Sequence, residues 1–507
     1  MLGLLALLLF IRLGATPIYI LDEAKNAQCA REMLQKGDWI VPTFNNELRT
    51  DKPPLHYFFM MLAYKVFGIN EFAARFFSVV MGLLTVFLTY LFTKKYINNF
   101  AAFCSALILA VSTHFLFEFR LSVPDPYLIF FITLGLFSAF AWLQESKSLY
   151  LFIAASSLAL ATLAKGPVAL ALPGLCVLIW IFIKKKWQVL FTWKLLPAFL
   201  LLCLIILPWY IAVHLQTNGE WTRGFFIENN LDRFSDPQEG HGGFFLLTLL
   251  FVLIGLLPFS SFWGEVIKKR TTVFNKDLVQ FSAIIVLVFI IFFSIASTKL
   301  PNYPMPCYPF AAIILGNYIS ALMDGRIGAK KYPVYILIAI TFLIPVAGYF
   351  AIQQEVEAKQ ISWITLLLLF TPVGLLLVLR SARWSKRIIS LCIVYSLFNA
   401  VGLWFVYPKL YSQNPVAKTL DIVKPHSYLY SYIAYNPGYN FYLNINIPKY
   451  YSLDSIKAKL QQHPDALVIS RKEFVDSLQT LNLRVIASHH DLFELPTTVI
   501  LKYNAKP

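Results

Sequence analysis

The residues of this chain with chemistry to offer are charged side chains placed where long apolar runs begin or end. Asp22 and Glu23 follow the first apolar segment directly, and Asp125 stands in Val-Pro-Asp-Pro-Tyr at the mouth of another. A carboxylate at such a place is costly unless it is solvated, paired or bound to something. At a reacting centre it can take a proton or orient an acceptor. Each also has a plain structural reading, with Asp22 and Asp125 as helix N-caps and Glu23 as a first-turn charge favoured by the helix dipole. Asp51 and Lys52 stand side by side before Pro53-Pro54, a rigid turn that holds flanking side chains at low entropic cost. Lys165 in Ala-Lys-Gly-Pro and Lys299 in Ser-Thr-Lys-Leu-Pro-Asn-Tyr each close an apolar run, and Arg223 and Arg233 lie in a long polar segment. Cations at that depth suit an anionic ligand, most readily a lipid phosphate, with snorkelling to headgroups as the alternative. Asp51, His241 and Glu239 are of the donor types that zinc accepts. No close ligand spacing singles them out, and a lone loop His reads equally well as a hydrogen-bonding surface residue.

The elements that must position these groups are apolar helices. Of 507 residues, 58% are hydrophobic and 14% charged, against about 25% charged in a typical soluble domain, which excludes a water-soluble enzyme. The formal net charge of +16 comes from short clusters scattered between apolar runs, whereas nucleic-acid binding needs a patch or stripe. Six cysteines without CxxC spacing suggest neither a disulfide framework nor a thiolate metal site. About thirteen apolar stretches approach the roughly 20 residues that cross a bilayer, the first at 1–18 and the others between 71 and 407. Arg12 interrupts the first, which reads as a short signal anchor or as a sign that the true start lies upstream.

With the N-terminus inside, six loops on one side are all basic, among them those with Lys94-Lys95, Lys184–Lys186 and Lys268–Arg270. The positive-inside rule assigns them to the cytoplasm. Asp22, Asp51, Asp125, Lys165 and Lys299 then share the outer face with two long loops, 19–70 and 214–242, and loops of that length in a compact bundle carry function more often than not. The pattern predicts helices over 23–35 and 55–67, lying in the interface. From about 411 to 507 short β-rich runs alternate with helical patterns, which predicts a small outer α/β domain after a transmembrane domain at 1–410.

The motifs resemble a known family. Leu-Asp-Glu-Ala-Lys-Asn-Ala at 21–27, Asp-Lys-Pro-Pro-Leu-His-Tyr at 51–57, Gly-Ile-Asn-Glu-Phe-Ala-Ala-Arg at 68–75, Pro-Asp-Pro-Tyr at 124–127, Leu-Ala-Lys-Gly-Pro at 163–167, Asn-Asn-Leu-Asp-Arg-Phe at 229–234 and Ser-Thr-Lys-Leu-Pro-Asn-Tyr at 297–303 are similar to motifs of the polyprenyl-phosphate-sugar glycosyltransferases. These are the relatives of the lipid A aminoarabinose transferase and, more distantly, of protein O-mannosyltransferases. The resemblance spans about residues 10–320. It implies an all-α polytopic GT-C fold of about 13 transmembrane helices and transfer of a sugar from an undecaprenyl-phosphate carrier at the periplasmic face of a bacterial inner membrane. Matched residue by residue, it implies catalytic roles for Asp22 and Asp125 and carrier-phosphate contacts for Lys52, Lys299 and Tyr303; Glu23 joins the catalytic candidates as the neighbour of Asp22, and Lys165 and Arg233 join the phosphate candidates as outer-face cations. It also implies a divalent metal beside Asp51, where Glu is usual, with His241 placed to complete the site. The acceptor is lipid A or another envelope glycolipid, or, in a protein O-glycosyltransferase of the same fold, a Ser or Thr hydroxyl. Membrane lipids are further partners, and nucleic acid is not. A lipid-linked sugar transporter is the non-enzymatic rival, but it should show two related halves with paired broken helices, and none is evident.

Overall fold

In hydrocarbon every backbone N–H and C=O must be satisfied within its own segment, and a helix does this. The computed structural model describes residues 1–231 and 242–503. Its elements run α1 (Leu2–Phe10), α2 (Leu21–Lys36), the hairpin β1 (Thr43–Phe44) and β2 (Glu47–Leu48), α3 (Leu55–Phe67), α4 (Glu71–Tyr96), α5 (Asn99–Val111), α6 (Thr113–Glu118), α7 (Asp125–Glu145), α8 (Ser148–Lys165), α9 (Val168–Ile183) and α10 (Leu195–Gln216). Later helices are given by their ranges.

Among the described residues nine helices are long and apolar enough to span a membrane, or ten if Leu247–Gly255 and Phe259–Lys268, bent by 112°, form one span. The count expected from sequence was about thirteen. The difference lies in α1, α5 and α9, which have 9, 13 and 16 residues where a crossing takes about 20. Burial sorts the spans by place. The apolar windows of α7 and Met305–Met323 are 89% and 94% buried, whereas those of α10 and Tyr332–Gln354 are 22% buried. A helix apolar on all sides belongs in the interior of a bundle, so α7, which carries Asp125 in its first turn, is a central element.

The long first loop folds as its pattern predicts. α2 stops at Gly37, which takes φ +68 in the left-handed region that Gly adopts readily, and α3 occupies the predicted 55–67. Between them Asn45 and Asn46, at φ 56 and 64, make the two-residue turn of a tight hairpin, an element the sequence reading missed. The C-terminal strands β3 (Leu429–Tyr432), β4 (Lys449–Tyr450), β5 (Leu467–Arg471), β6 (Leu483–His490) and β7 (Thr497–Tyr503) form one sheet of order β4-β3-β5-β7-β6, with β3 parallel to β4 and β5, and β7 antiparallel to β5 and β6. Its connecting segment seats on the first loop. Arg31 donates to Phe441 O at 2.6 Å, Ile447 N donates to Asn45 Oδ1 at 2.7 Å, and Tyr442 Oη accepts from Ile18 N at 2.8 Å. Sheet and first loop therefore share one face.

Candidate active site

Four of the predicted residues line one cavity. Asp51, Lys52, Lys165 and Tyr303 bound a space of about 160 Å3 whose apolar walls include Leu128, Phe225, Phe292 and Phe293. Local chain chemistry explains how Lys165 arrives there. It is the last residue of α8, which ends because Gly166 takes φ +92 and Pro167 begins the approach to α9. A Cβ on Gly166 would come within 2.6 Å of Phe225 Cζ, so the motif needs Gly for room as well as for φ. The Lys165 ammonium stands 2.5 Å from Asp125 Oδ1 and 4.8 Å from the Tyr303 ring centroid. The carboxylate and the ring face keep a desolvated ammonium charged and aimed.

Asp51 and Lys52 enter from the turn before α3. The wall beside them is tied down by Asn229, whose amide donates to Thr50 Oγ1 at 3.3 Å and Gly224 O at 3.0 Å. Arg49 is buried with its Nε 3.3 Å from Asp51 Oδ2. Burial opposes its charge, but Tyr57, Asp51, Cys29 and Asp22 outweigh burial and raise its pKa. His56, also buried, is pushed well below its ordinary pKa by burial and then by Arg49 and Lys52, so it is a neutral imidazole at pH 7. Asp22 acts on both Arg49 and His56, which joins it to this group from the exposed first turn of α2.

Two predicted residues are placed otherwise. Glu23 is fully buried with both oxygens engaged. Arg75 Nε and Nη2 donate to them at 2.7 and 2.8 Å, and Ser122 N donates to Oε1 at 3.0 Å. Arg75 also donates to the carbonyls of Leu13 and Thr16 at 3.0 and 2.7 Å. The pair thus ties the start of α2 to α4 and to the segment before α7, and it positions Asp22 and Asp125 without lining the cavity. Lys299 is buried and donates to Ala296 O at 2.6 Å, capping the carbonyl end of helix Asp277–Ile295 where the helix dipole favours a cation. The cation beside the Tyr303 ring is Lys165. Arg233 and His241 lie outside the described residues. Among the described residues no group of three or more His, Cys, Asp or Glu side chains could hold a metal ion, and Asp51 has a guanidinium as its neighbour. His241 and Glu239, the other two donors of the expected site, lie outside the described residues.

The sequence reading missed Arg49, Arg75 and Phe225 as contributors. A signal existed for Arg75, since an arginine within an apolar helix is costly unless paired. Phe225 carried none.

A family model described as dolichyl-phosphate-mannose-protein mannosyltransferase matches residues 3–222. A protein of Aquifex aeolicus (strain VF5) is 31% identical over 343 residues, covering 66% of this chain and 74% of that protein. The undecaprenyl phosphate-alpha-4-amino-4-deoxy-L-arabinose arabinosyl transferase of Edwardsiella ictaluri (strain 93-146) is 30% identical over 311 residues, 59% of this chain. The match spans 55% of the length of that relative. Among solved structures, ArnT from Cupriavidus metallidurans bound to undecaprenyl phosphate superposes with a TM-score of 0.81 at 18% identity, covering 98% of this chain and 96% of that one. The chain is a multi-pass membrane protein that shares the fold of ArnT, and it is similar in sequence to the aminoarabinose transferases and, over residues 3–222, to the protein mannosyltransferase family model.

Proposed function

We propose that this protein transfers a sugar from an undecaprenyl-phosphate carrier to lipid A or another envelope glycolipid at the periplasmic face of the inner membrane, with 411–507 as its periplasmic domain. The observation that carries the reading is the cavity in which Lys52 and Lys165 meet apolar walls, a shape and charge suited to a phosphate on a prenyl chain. The basic loops on the opposite side support the orientation.

The chemistry follows from charge. A phosphate-linked sugar is already activated, and cleavage of the anomeric C–O bond leaves the phosphate with an added negative charge. Lys52 and Lys165 stabilise that charge from fixed positions, Asp125 holds Lys165, and Tyr303 packs against its ammonium. Asp22 accepts the proton of an acceptor hydroxyl, or orients an acceptor that is already an anionic phosphate. Direct displacement inverts the anomeric centre. No step is routed through a metal.

The family-model match favours one second reading, a hydroxyl of a protein Ser or Thr as acceptor. Purified protein incubated with radiolabelled undecaprenyl-phosphate sugars and either lipid A or periplasmic protein separates the two. Label in lipid A supports the first reading, label in protein the second, and label in neither refutes both.

A further inference from the structure

We infer that Glu118 is a positioning residue for the sugar transfer: it stands as a second carboxyl behind the Lys165–Asp125 pair and keeps its proton, so that Lys165 answers to one of these two carboxylates and not to both when the carrier phosphate arrives. The inference deepens the sugar-transfer reading and rests on it for what Lys165 does, but not for where the charges lie.

Glu118 ends α6, in the stretch between α5 and α7. It is 4% exposed, and its Oε1 makes no hydrogen bond among the described residues. Four elements bring groups to it. α7 brings Asp125, α8 brings Lys165, α2 brings Glu23, and the segment before helix Met305–Met323 brings Asn302, whose side chain reaches the carboxyl. Asn302 precedes Tyr303, whose ring covers the Lys165 ammonium at 4.8 Å, so one motif touches both charges. Two more titratable groups face this corner, His114 on α6 itself and Tyr308, whose hydroxyl lies 3.0 Å from His114 Nδ1. Burial keeps His114 neutral, and Glu23 is held by Arg75. The last turn of α5 and helix Leu247–Gly255 also pack on α6, and they bring no ionisable side chain.

A carboxyl taken out of water keeps its proton unless its charge is compensated. Lys165 is the cation that acts on Glu118, and Asp125 already holds that ammonium at 2.5 Å. A second carboxylate at the same ammonium would repel the first, so the proton stays on the carboxyl without the close contact. Burial and then Asp125 accordingly push the Glu118 carboxyl up to about 8, against the pull of Lys165 and Asn302. The consequence for the reaction has a direction. With Glu118 neutral, the ammonium turns most of its charge towards the cavity. Ionised, Glu118 would add a negative charge behind the ammonium and weaken its hold on a phosphate, in the ground state and as charge builds on the leaving oxygen.

The test is a pH profile of the full-length protein. Between about pH 7 and about pH 9 the wild-type kcat/KM for the donor should fall by about tenfold as Glu118 gives up its proton, with the change in the donor KM and not in the acceptor KM. Glu118→Gln, neutral at every pH, should fall by less than about twofold over the same range. A merely structural Glu118 predicts profiles that fall alike, and that result overturns the inference. Infrared spectra give a readout that needs no turnover. The carboxylic-acid carbonyl band of wild type should fade through about pH 8 and be missing from Glu118→Gln; an acid band that the substitution leaves intact overturns the inference. If Glu118→Gln fails to fold, Asp125→Asn replaces it. With the closer carboxylate gone, Lys165 should draw the proton off Glu118, and the band should fade about one pH unit or more lower. An unshifted band overturns the inference. Should no form turn over any donor, the sugar-transfer reading falls, and the band still decides whether Glu118 carries a proton beside Lys165.

Discussion

Replacing Lys165 with methionine removes two things at once, and the structure allows them to be separated. The ammonium lies 2.5 Å from Asp125 Oδ1, with the two side chains 14% and 5% exposed. Breaking a buried pair by deleting one partner leaves a charge without compensation, which costs about 3–5 kcal/mol of stability. The same ammonium faces the cavity, and losing a charge-assisted contact to the leaving phosphate costs about 1.5–3 kcal/mol in the transition state, a fall of roughly 10- to 150-fold in kcat/KM. The variant Lys165→Met with Asp125→Asn discards the orphaned charge, so it should recover most of the stability while transfer stays low. Unfolding can be followed with a thiol-reactive dye, because Cys29, Cys104, Cys176, Cys307 and Cys392 are buried and free. A double variant that regains kcat/KM together with its melting temperature would refute the assignment of Lys165 to the phosphate. A single variant that melts with the wild type would refute the ion-pair argument.

Three further outcomes are expected. Asp22→Asn should abolish turnover and leave carrier affinity near wild type in a direct binding assay; full activity would remove the base assignment. Glu23→Gln leaves the fully buried Arg75 uncompensated, and it should lower stability by about 3–5 kcal/mol in denaturant or thermal unfolding, whereas a neutral result would contradict the structural role given to that pair. The neutral His56 makes stability depend on pH. Its folded pKa lies below 6.5, so the unfolded chain binds the extra proton between the two values, and its contribution is intact above about pH 6.5 and declines as pH falls. The decline should reach about 1.4 kcal/mol per pH unit, and His56→Gln should flatten that slope; an unchanged slope would show that His56 is not the group responsible.

Much of this arrangement was legible in the sequence, and the parts that were not have physical reasons. Periodicity located α2 and α3 because each has an apolar face and a glycine just past its end, Gly37 and Gly68. Strands β3, β5, β6 and β7 were visible as short β-rich runs, while β4, with two residues, was too short to leave a pattern. The expected count of about thirteen spans is not confirmed among the described residues, because apolar composition does not report helix length: α5 stops before Ser112, where the apolar pattern runs on into α6. The partners of Glu23 and Lys299 were not legible for a different reason. Glu23 follows Asp22 directly, and a helix turns neighbouring side chains to different sides, so Asp22 stays exposed while Glu23 meets Arg75; Lys299 lies beyond a helix end, and nothing in its motif says that its ammonium meets the Ala296 carbonyl. Arg49 was passed over although it precedes Asp51 by only two residues, because nothing in a sequence says that a loop arginine will be buried.

The central claim is that the cavity bounded by Lys52, Lys165 and Tyr303 holds the carrier phosphate with its prenyl chain along the apolar wall. Photo-crosslinking with an undecaprenyl phosphate bearing a photoreactive group near its phosphate, followed by peptide mapping, tests it most directly. The account predicts label on Leu128, Phe225 and the Phe292-Phe293 pair, competed by unmodified carrier and lost in Lys52→Ala with Lys165→Met. Label spread over the lipid-facing helices Tyr332–Gln354 and Phe370–Val378, or undiminished in that double variant, would contradict it.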